Sequence, residues 1–268
     1  MSNQELVKKN NAEFMNFVNS ENVKKRFTDV LGNGAPAFMS AIIAVRNGNA
    51  ALQNCSPKSI IGAAGLAATL KLSVTPSLGH AYILPYKGQA AFIIGWKGIV
   101  QLAHRTGQYK VLHAGKVYEG EIRGTDPLTG EPITGEKISD EIAGYIAHFE
   151  LVNGFKKSLY MTVDEIKNHA KTYSQSYNST NSVWKKHFDA MASKTVLKLL
   201  LSRWGVLSTD MATAIQADQS VVDKNSFTYV DNGGNSLDRE TIEVPFEEIE
   251  ENTEFVNEET GEVIQNEN

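Results

Sequence analysis

The sequence predicts an α+β protein in which packed helices accompany a small antiparallel sheet that includes a β-hairpin. Short β-branched and aromatic runs joined by tight turns predict the strands, and apolar residues at helical spacing before and after them predict the helices. We divide the 268 residues into a helical N-terminal region over 1–55 that we expect to make subunit contacts, a core over 56–217, and a disordered, flexible acidic tail over 218–268.

The N-terminal part carries the start and stop signals of three helices. Gly32 ends one apolar-periodic stretch, Pro36 opens a second, and Gly48 closes it. Pro57 begins a third helix, in which Gly62 and Gly65 each cost about 1 kcal/mol against Ala. We therefore expect both glycines to allow close packing.

The stretch from Gly79 to Glu119 organises the rest of the chain. Its strands, over 81–86 and 90–95, are separated by Lys87-Gly88-Gln89, which predicts a hairpin. After Trp96 the pattern becomes helical until Gly107, and strand-like alternation then returns over 108–118.

The second half alternates hairpin and helix signals. Residues 120–140 predict a loop or hairpin, Asn153-Gly154 predicts a tight hairpin turn, and Thr162 with Glu165 predicts a capping box that starts a helix. The longest predicted helix runs from Val183 to Arg203. The polar loop before it, residues 173–182, is either flexible or a strand-binding loop that orders on contact.

Charge is distributed unevenly along the chain. Residues 1–209 hold 24 bases and 15 acids, whereas residues 210–268 hold 2 bases and 16 acids, so a body of net charge +9 precedes a tail of −14. Between Val30 and Tyr118 there is no Asp or Glu, although this stretch contains eight Lys or Arg. A solvated face would normally mix both signs, so the pattern favours a surface that binds a polyanion.

Rings interleaved with cations indicate binding of single-stranded nucleic acid, in which rings stack on bases and cations pair with phosphates. We predict a groove with two walls. The first is formed by Trp96, Lys97, Arg105, Lys110 and Lys116, with Tyr109 as a further stacking ring, and the second by Lys185, Lys194, Lys198 and Arg203. Trp96 either faces this groove or belongs to the core.

The sequence lacks the motifs of several kinds of functional site. The chain has no phosphate-binding loop of the GxxxxGK[ST] type, no GxGxxG, no CxxC and no HExxH. Its single cysteine, Cys55, excludes a disulfide framework, and no apolar run near 18 residues predicts a membrane span. The acids of 119–136 are either a solvated loop or a metal site, and the latter would make the protein a metal-dependent nuclease.

One long run, GLAATLKLSVTPSLGHAYILPYKGQAAFIIGWKGIVQLAHRTGQYK, closely resembles the RecT family of bacteriophage single-strand annealing recombinases, as does WKKHFDAMASKTVLKLLLSRWG. The resemblance extends to about Ala217. It implies a core similar to that of the phage lambda Beta protein and no catalytic residues, so we expect no enzymatic activity. It also implies action on DNA without ATP, with Mg²⁺ acting on the DNA only.

The resemblance further implies the partners and the location. It predicts binding of single-stranded DNA and of the annealed duplex, assembly into a ring or helical filament, a partner exonuclease, and no membrane. The protein would act in DNA recombination and repair in the cytoplasm of a bacterial host, encoded by a phage or prophage. Two alternatives to an annealing protein remain here: a protein that coats single strands without annealing them, and a purely structural assembler.

Overall fold

A computed structural model of the chain describes residues 3–174, 177–178, 182–223, 226–229, 255–256 and 263–264. The helices in its described residues are α1 (Asn3–Asn19), α2 (Glu21–Leu31), α3 (Ala35–Asn47), α4 (Ala50–Gln53), α5 (Pro57–Thr69), α6 (Trp96–Arg105), α7 (Val163–Tyr173), α8 (Val183–Lys186), α9 (Phe188–Trp204) and α10 (Thr209–Gln216). Short 3₁₀ turns lie at Gly32–Gly34 and Pro76–Leu78.

The strands are β1 (Ala81–Tyr86), β2 (Gln89–Ile94), β3 (Tyr109–Tyr118), β4 (Ile122–Thr125), β5 (Pro132–Thr134), β6 (Ile142–Leu151), β7 (Lys156–Thr162), β8 (Ser220–Asp223) and β9 (Ser226–Tyr229). They form antiparallel sheets in the orders β1-β2-β8-β9 and β3-β6-β7, and β4 pairs with β5. These small antiparallel sheets and the helices confirm the predicted α+β class.

Helix α5 packs on the first sheet. Six consecutive buried positions, 63–68, support this packing, and a Cβ on Gly62 would lie 2.5 Å from the Val222 carbonyl oxygen in β8. The expectation of close packing is therefore confirmed at Gly62, whereas a Cβ on Gly65 would lie at an ordinary contact distance, 3.4 Å, from the Arg26 guanidinium. The N-terminal helices share the same core, to which α1 contributes Phe14 and α2 contributes Phe27.

The second sheet packs against α9. Alternate residues of β6, Tyr145, Ala147 and Phe149, are buried, as period-2 geometry requires for a strand with one covered face. The opposing helix contributes buried Leu197 and Leu200. The second sheet and α9 together form one packed block along the length of β6.

Two predicted turns and one predicted cap are present. Lys87 and Gly88 both have positive φ, 45° and 77°, as a two-residue type I′ hairpin turn requires. Gly154 has φ 87° in the turn between β6 and β7. The Thr162 hydroxyl accepts from the Glu165 amide, and the Glu165 carboxylate accepts from the Thr162 amide, so the capping box is complete.

The prediction of one continuous helix from Val183 to Arg203 is wrong. His187, at φ −141° and ψ 53°, separates α8 from α9. The break restarts the helix with Asp189 in its first turn, where the carboxylate accepts from the Tyr145 hydroxyl and pairs with Lys116. It also leaves the rings of Trp184 and Phe188 in contact, with centroids 5.9 Å apart.

The start of the predicted tail is part of the folded body. Asp218 and Ser220 are buried, and β8 pairs with β2 through Ala91 and Val221. The paired strands Phe255–Val256 and Val263–Ile264 form a separate unit within residues 235–268. The other tail positions, 224–225, 230–254, 257–262 and 265–268, lie outside the described residues, and so does their predicted disorder.

The helical stretch Glu21–Asn47 is long and apolar enough to cross a membrane by length and composition alone, with a mean hydropathy of 1.2. A core helix of a soluble protein meets the same criteria. The stretch is interrupted by the 3₁₀ turn at Gly32–Gly34, and its residues Val23, Phe27 and Ile42 pack into the core. We therefore assign no membrane span to it.

Candidate nucleic-acid interface

The hairpin of β1 and β2 presents an aromatic outer face. Ile83 pairs with Phe92, and both are buried in the core that α5 covers. Because successive side chains of a strand alternate between faces, Tyr82, Leu84 and Tyr86 share the opposite face. Tyr82 and Tyr86 are half-buried there, and Leu84 is 39% exposed.

Lysines lie at both ends of this outer face. In the hairpin turn, the Lys87 ammonium lies 5.3 Å from the centroid of the Tyr86 ring. At the other end, a Cβ on Gly79 would lie 3.3 Å from the Tyr82 hydroxyl and 3.5 Å from Cδ of Lys97, so these two side chains flank the same glycine. The two rings thus lie between two cations, and rings beside cations are the combination that binding of single-stranded nucleic acid requires.

A second group of basic side chains adjoins Lys97. Arg105 donates to the carbonyl oxygens of Leu70 and Lys71 at 2.6 and 2.7 Å, which joins α6 to the end of α5. Burial lowers the pKa of His80, and the nearby charges of Arg105 and Lys97 lower it further. The local field at this end of the hairpin is therefore positive.

Two glycines bring α6 against the loop that carries His80. The Gly95 amide donates to the His80 carbonyl at 2.8 Å. A Cβ on Gly95 would collide with the Gly79 carbonyl, and a Cβ on Gly98 would collide with the His80 carbonyl, in both cases well inside van der Waals contact. The GWKG sequence therefore sets the position of Lys97 through backbone contact.

We expect Gly98→Ala to destabilise the protein by about 1–3 kcal/mol, because the added methyl forces the helix off the His80 backbone. Helix propensity alone would predict a gain of up to about 1 kcal/mol for this change, so the sign of the effect tests the contact. Gly124→Ala is the matched control, since a Cβ there meets open space. Denaturant unfolding measures both; equal stability of the two variants would contradict the close approach.

The first predicted wall is divided between the two sheets. Lys97 and Arg105 lie on α6, at the end of the first sheet, and Trp96 is half-buried against the core. Lys110 and Lys116 lie on β3 in the second sheet, where they pair with Glu150 at 2.7 Å and Asp189 at 2.6 Å. The hydrogen bond from Lys110 lowers the pKa of Glu150, and the bond to Asp189 raises the pKa of Lys116.

The prediction that Tyr109 is a stacking ring is wrong. Its side chain is buried, packs edge-on against Phe149 at 5.7 Å, and donates its hydroxyl to the Val206 carbonyl at 3.0 Å. Burial raises the pKa of Tyr109 to about 12. A ring buried to this extent has no exposed face on which a base could stack.

Lys194 is also misplaced in the predicted second wall. It is 8% exposed, and its ammonium lies 3.5 Å from the buried carboxylate of Asp218. Lys198 approaches the other oxygen of Asp218 at 2.7 Å, and that carboxylate also accepts from the Ile94 amide. Lys194 and Lys198 lie on one face of α9, since both reach Asp218, but that face meets an acid instead of solvent.

The Asp218 cluster is an interior feature with coupled charges. Burial alone would raise the pKa of Asp218, but Lys194 and Lys198 together with the Ile94 amide hold it below its ordinary value. Beside it, burial and then Lys198 lower the pKa of His169 to about 4. Asp218 thereby ties α9 and the segment after α10 to β2.

The remaining residues of the second wall, Lys185 and Arg203, are exposed. The Lys185 ammonium donates to the Asn178 carbonyl at 3.1 Å, which ties α8 to the polar loop before it. A DNA contact by either residue stays a prediction. Lys198 keeps partial exposure, 28% for its side chain, despite its bond to Asp218.

The acidic side chains of residues 119–136 accept separate hydrogen bonds. Glu121 accepts from the Tyr118 amide, Asp126 accepts from the Leu128 and Thr129 amides, and Glu131 accepts from the Ser158 hydroxyl. Among the residues that the structure describes, no group of three or more His, Cys, Asp or Glu is placed to hold a metal ion. Asp126 thus stabilises the turn of the β4–β5 hairpin, and Glu131 ties the hairpin to β7.

Comparison with known proteins decides the family. The model of the RecT family matches residues 36–231, about three quarters of the chain. The chain belongs to the RecT family. It is 41% identical over 236 residues to the uncharacterized protein YqaK of Bacillus subtilis, covering 87% of this chain and 82% of YqaK. It is 28% identical over 226 residues to the protein RecT of Escherichia coli, covering 78% of this chain and 81% of that protein.

Membership of the RecT family indicates DNA recombination by single-strand annealing. The matched range includes the β1–β2 hairpin, α6 and Asp218. The sequence reasoning overlooked the outer face formed by Tyr82 and Tyr86, although their period-2 spacing within β1 was available as a signal. The role of Asp218 had no local signal, because its partners lie 20 and 24 residues earlier in the chain.

Proposed function

We propose that this RecT family protein binds single-stranded DNA along the outer face of β1 and anneals complementary strands without ATP, as a ring or filament of identical subunits. The observation that carries the proposal has two parts: the Lys87 ammonium lies 5.3 Å from the Tyr86 ring centroid at one end of β1, and Tyr82 and Lys97 flank Gly79 at the other end. Both lie within a stretch of 89 residues that holds no acid. The protein would act on DNA as a binding partner and would catalyse no covalent step.

The surface charge of that stretch supports the proposal. Of its eight bases, Arg46 is buried and bonded to the Asn11 side chain, while Lys110 and Lys116 are paired with acids of β6 and α9. The other five are exposed: Lys58, Lys71, Lys87, Lys97 and Arg105. A phosphate backbone can bind such cations irrespective of base sequence, as annealing of arbitrary strands requires.

The length of β1 matches that of a short segment of single-stranded DNA. Its six residues span roughly 20 Å. At the 3.4 Å rise of a B-form strand, this length corresponds to about six nucleotides. A single subunit therefore holds few nucleotides, and an assembly of subunits would hold two strands long enough to find their register.

Annealing requires no external energy source. Each added base-pair step contributes on the order of 1.4 kcal/mol, so pairing is downhill once the strands meet in register. The barrier comes from phosphate repulsion and from hairpins within each strand. Lysines that neutralise one backbone and rings that hold it extended reduce both contributions while the base edges stay available to a second strand.

The wider proposal concerns fold, partners and location. We infer that the core is similar to that of the phage lambda Beta protein, that a partner exonuclease supplies the single strand, and that the protein acts in the cytoplasm of a bacterial host from a phage or prophage gene. Mg²⁺ would act on the DNA alone, with no bound cofactor in the protein.

The test measures the annealing of two complementary labelled oligonucleotides by fluorescence quenching. It is run without ATP or any other nucleoside triphosphate, at two salt concentrations. We expect acceleration that weakens as salt rises. Binding of single strands with annealing at its spontaneous rate would identify a coating protein instead. Shortening of the labelled DNA in added Mg²⁺ would identify a nuclease.

We expect Lys97→Ala to weaken binding of all single-stranded sequences alike and to lower the slope of log affinity against log salt by about 0.7, because one phosphate contact is lost. Arg105→Ala should lower the slope by a similar amount, with melting temperature measured alongside because Arg105 also bonds α5. Lys171→Ala, an exposed lysine of α7, is the matched control. If both interface variants keep the wild-type slope, the placement of DNA at α6 is wrong.

A further inference from the structure

The block formed by the second sheet and α9 carries exposed apolar side chains at one end, which we call the Trp204 end. Its exposed apolar residues are Val152, Phe155, Trp204, Val206 and Leu207. Contacts beneath the surface place them at the same end of the block, because the rings of Phe155, Phe149 and Tyr109 are in successive contact and Tyr109 bonds the Val206 carbonyl. An exposed apolar area of this kind in a soluble protein indicates a binding surface.

The border of the Trp204 end is basic. The Lys157 ammonium lies 5.2 Å from the Trp204 ring centroid, and the Lys157 side chain also donates to the Thr129 carbonyl. Lys156 and Arg203 are exposed beside it, whereas Glu150 is paired with Lys110. Asp126 and Glu131 also lie near this border, since Asp126 accepts from the Thr129 amide and Glu131 accepts from the Ser158 hydroxyl. With the three bases Lys156, Lys157 and Arg203 against these two acids, the border keeps a net charge of +1.

The opposite end of the block is acidic and carries one prominent apolar side chain, so we call it the Ile138 end. Ile138 is 77% exposed. The exposed acids next to it in the chain or in hydrogen-bonded backbone are Glu119, Glu136, Asp140 and Glu141. Lys137 pairs with Asp140 at 2.5 Å, and residues 119–123 and 135–141 together hold five acids and two bases, a net charge of −3.

The two ends are separated by the full length of β6. The chain passes from Ile138 into β6 at Ile142 and leaves it at Leu151, directly before Val152. Ten strand residues span roughly 33 Å. Helix α9 follows the same direction, since its first turn pairs with Lys116 and its last residue lies under Lys157. One rigid block thus has a basic apolar surface at one end and an acidic apolar surface at the other.

We propose that the Trp204 end of one copy binds the Ile138 end of a second copy, head to tail. Opposite charges border two apolar centres, so the ends are complementary, whereas like ends would repel. A contact between two different surfaces continues from subunit to subunit and yields a ring or an open filament. The inference rests on the part of the proposed function that concerns assembly into a ring or filament. It names the two surfaces that would form the contact between subunits.

DNA is the competing occupant of the Trp204 end, because Trp204 and its basic border could also hold a base and a phosphate. Three of the five apolar side chains there are aliphatic, which favours packing against protein over stacking on bases. The acids around Ile138 would repel a phosphate backbone. A second protein surface therefore fits both ends, and DNA fits at most one.

The test uses two full-length variants, each blocked at one end. The first is Trp204→Ser with Lys156→Glu, and the second is Ile138→Ser with Glu141→Lys. Sedimentation velocity measures assembly with and without a single-stranded oligonucleotide. Val183→Ser, which removes another exposed apolar side chain on α8, is the matched control, and melting temperatures show that each variant is folded.

We expect each blocked variant to raise the concentration needed for assembly at least tenfold and the control to leave it unchanged. An equimolar mixture of the two blocked variants should form 1:1 dimers that do not grow, because only one intact end of each kind is present. Wild-type assembly by either variant, or a mixture that stays monomeric, would overturn the proposal. Loss of DNA binding with assembly intact in the Trp204 variant would overturn it in favour of DNA as the occupant.

Annealing and oligonucleotide binding are measured on the same samples. A wild-type chain that binds and anneals DNA but never assembles refutes the head-to-tail contact and leaves strand binding in place. A chain that assembles through these ends without binding DNA refutes the proposed function and leaves the contact in place.

Discussion

Replacing Tyr82 and Tyr86 together by leucine is expected to weaken binding of single-stranded DNA by about thirtyfold or more. Base stacking on an aromatic ring contributes about 1–3 kcal/mol per base, and both rings lie on the same outer face of β1. Leucine keeps apolar bulk over Gly79 and Gly95, so the hairpin should remain folded. No charge changes, so the salt slope should stay at its wild-type value. Fluorescence anisotropy of a labelled oligonucleotide at several salt concentrations measures both quantities.

The control for this prediction is the double change to phenylalanine, which keeps the rings and removes the hydroxyls. We expect it to bind within about threefold of the wild type. Together with Lys97→Ala, which should lower the salt slope, the two experiments separate stacking from phosphate contact. Unchanged affinity in the leucine variant would show that the outer face of β1 does not hold bases, even if Lys97 contacts the backbone.

The second large effect is expected from Asp218→Asn, which should lower the free energy of unfolding by about 3–5 kcal/mol. The substitution leaves the buried ammonium of Lys194 without a counter-charge, and removal of one partner from a buried ion pair has a cost of this size. At about 2–4 °C per kcal/mol, the melting temperature should fall by roughly 6–20 °C. Denaturant and thermal unfolding measure the change.

Asp29→Asn, at an exposed position of α2, is the matched control and should change stability by less than about 0.5 kcal/mol. Adding Lys194→Met to Asp218→Asn should recover part of the loss, because the uncompensated charge is removed with its methylene chain largely preserved. If Asp218→Asn is as stable as the control, the cluster does not hold α9 to β2 in the way that the distances indicate.

The pH dependence of stability gives an independent check on the same cluster. Asp218 has its pKa below the ordinary carboxyl range, so its contribution is complete above about pH 4 and is lost as pH falls below that value. His169, with its pKa lowered to about 4, stays neutral while an unfolded histidine would protonate below about pH 6.5. Both groups therefore make the protein less stable as pH falls, with His169 acting first.

Much of the local structure could be predicted because its causes are local. The turn at Lys87-Gly88, the capping box of Thr162 with Glu165, and the start of α5 at Pro57 depend on residues within four positions of one another. The exclusion of acids from Val30 to Tyr118 is likewise a property of the chain itself. The family could also be identified from the sequence, because a long run of residues carries its pattern.

The candidate site was predicted less well because a side chain's exposure depends on distant partners. Lys194 and Lys97 both lie on helices. Lys194 is buried, because its ammonium pairs with Asp218 after α10, whereas Lys97 packs beside Gly79 and stays exposed. Tyr109 and Tyr82 both lie near the start of a strand, yet Tyr109 is buried and donates its hydroxyl to the carbonyl of Val206, 97 residues away in the chain.

The sequence by itself determined most of the elements, the turns, the charge of the body and the RecT family, since each depends on neighbouring residues or on a continuous pattern. Only the tertiary structure decided which cations remain at the surface, which rings face outward, and that the block of β6 and α9 has ends of opposite charge. The physical reason is that burial and ion pairing arise between residues far apart in the chain, whose meeting no local pattern encodes.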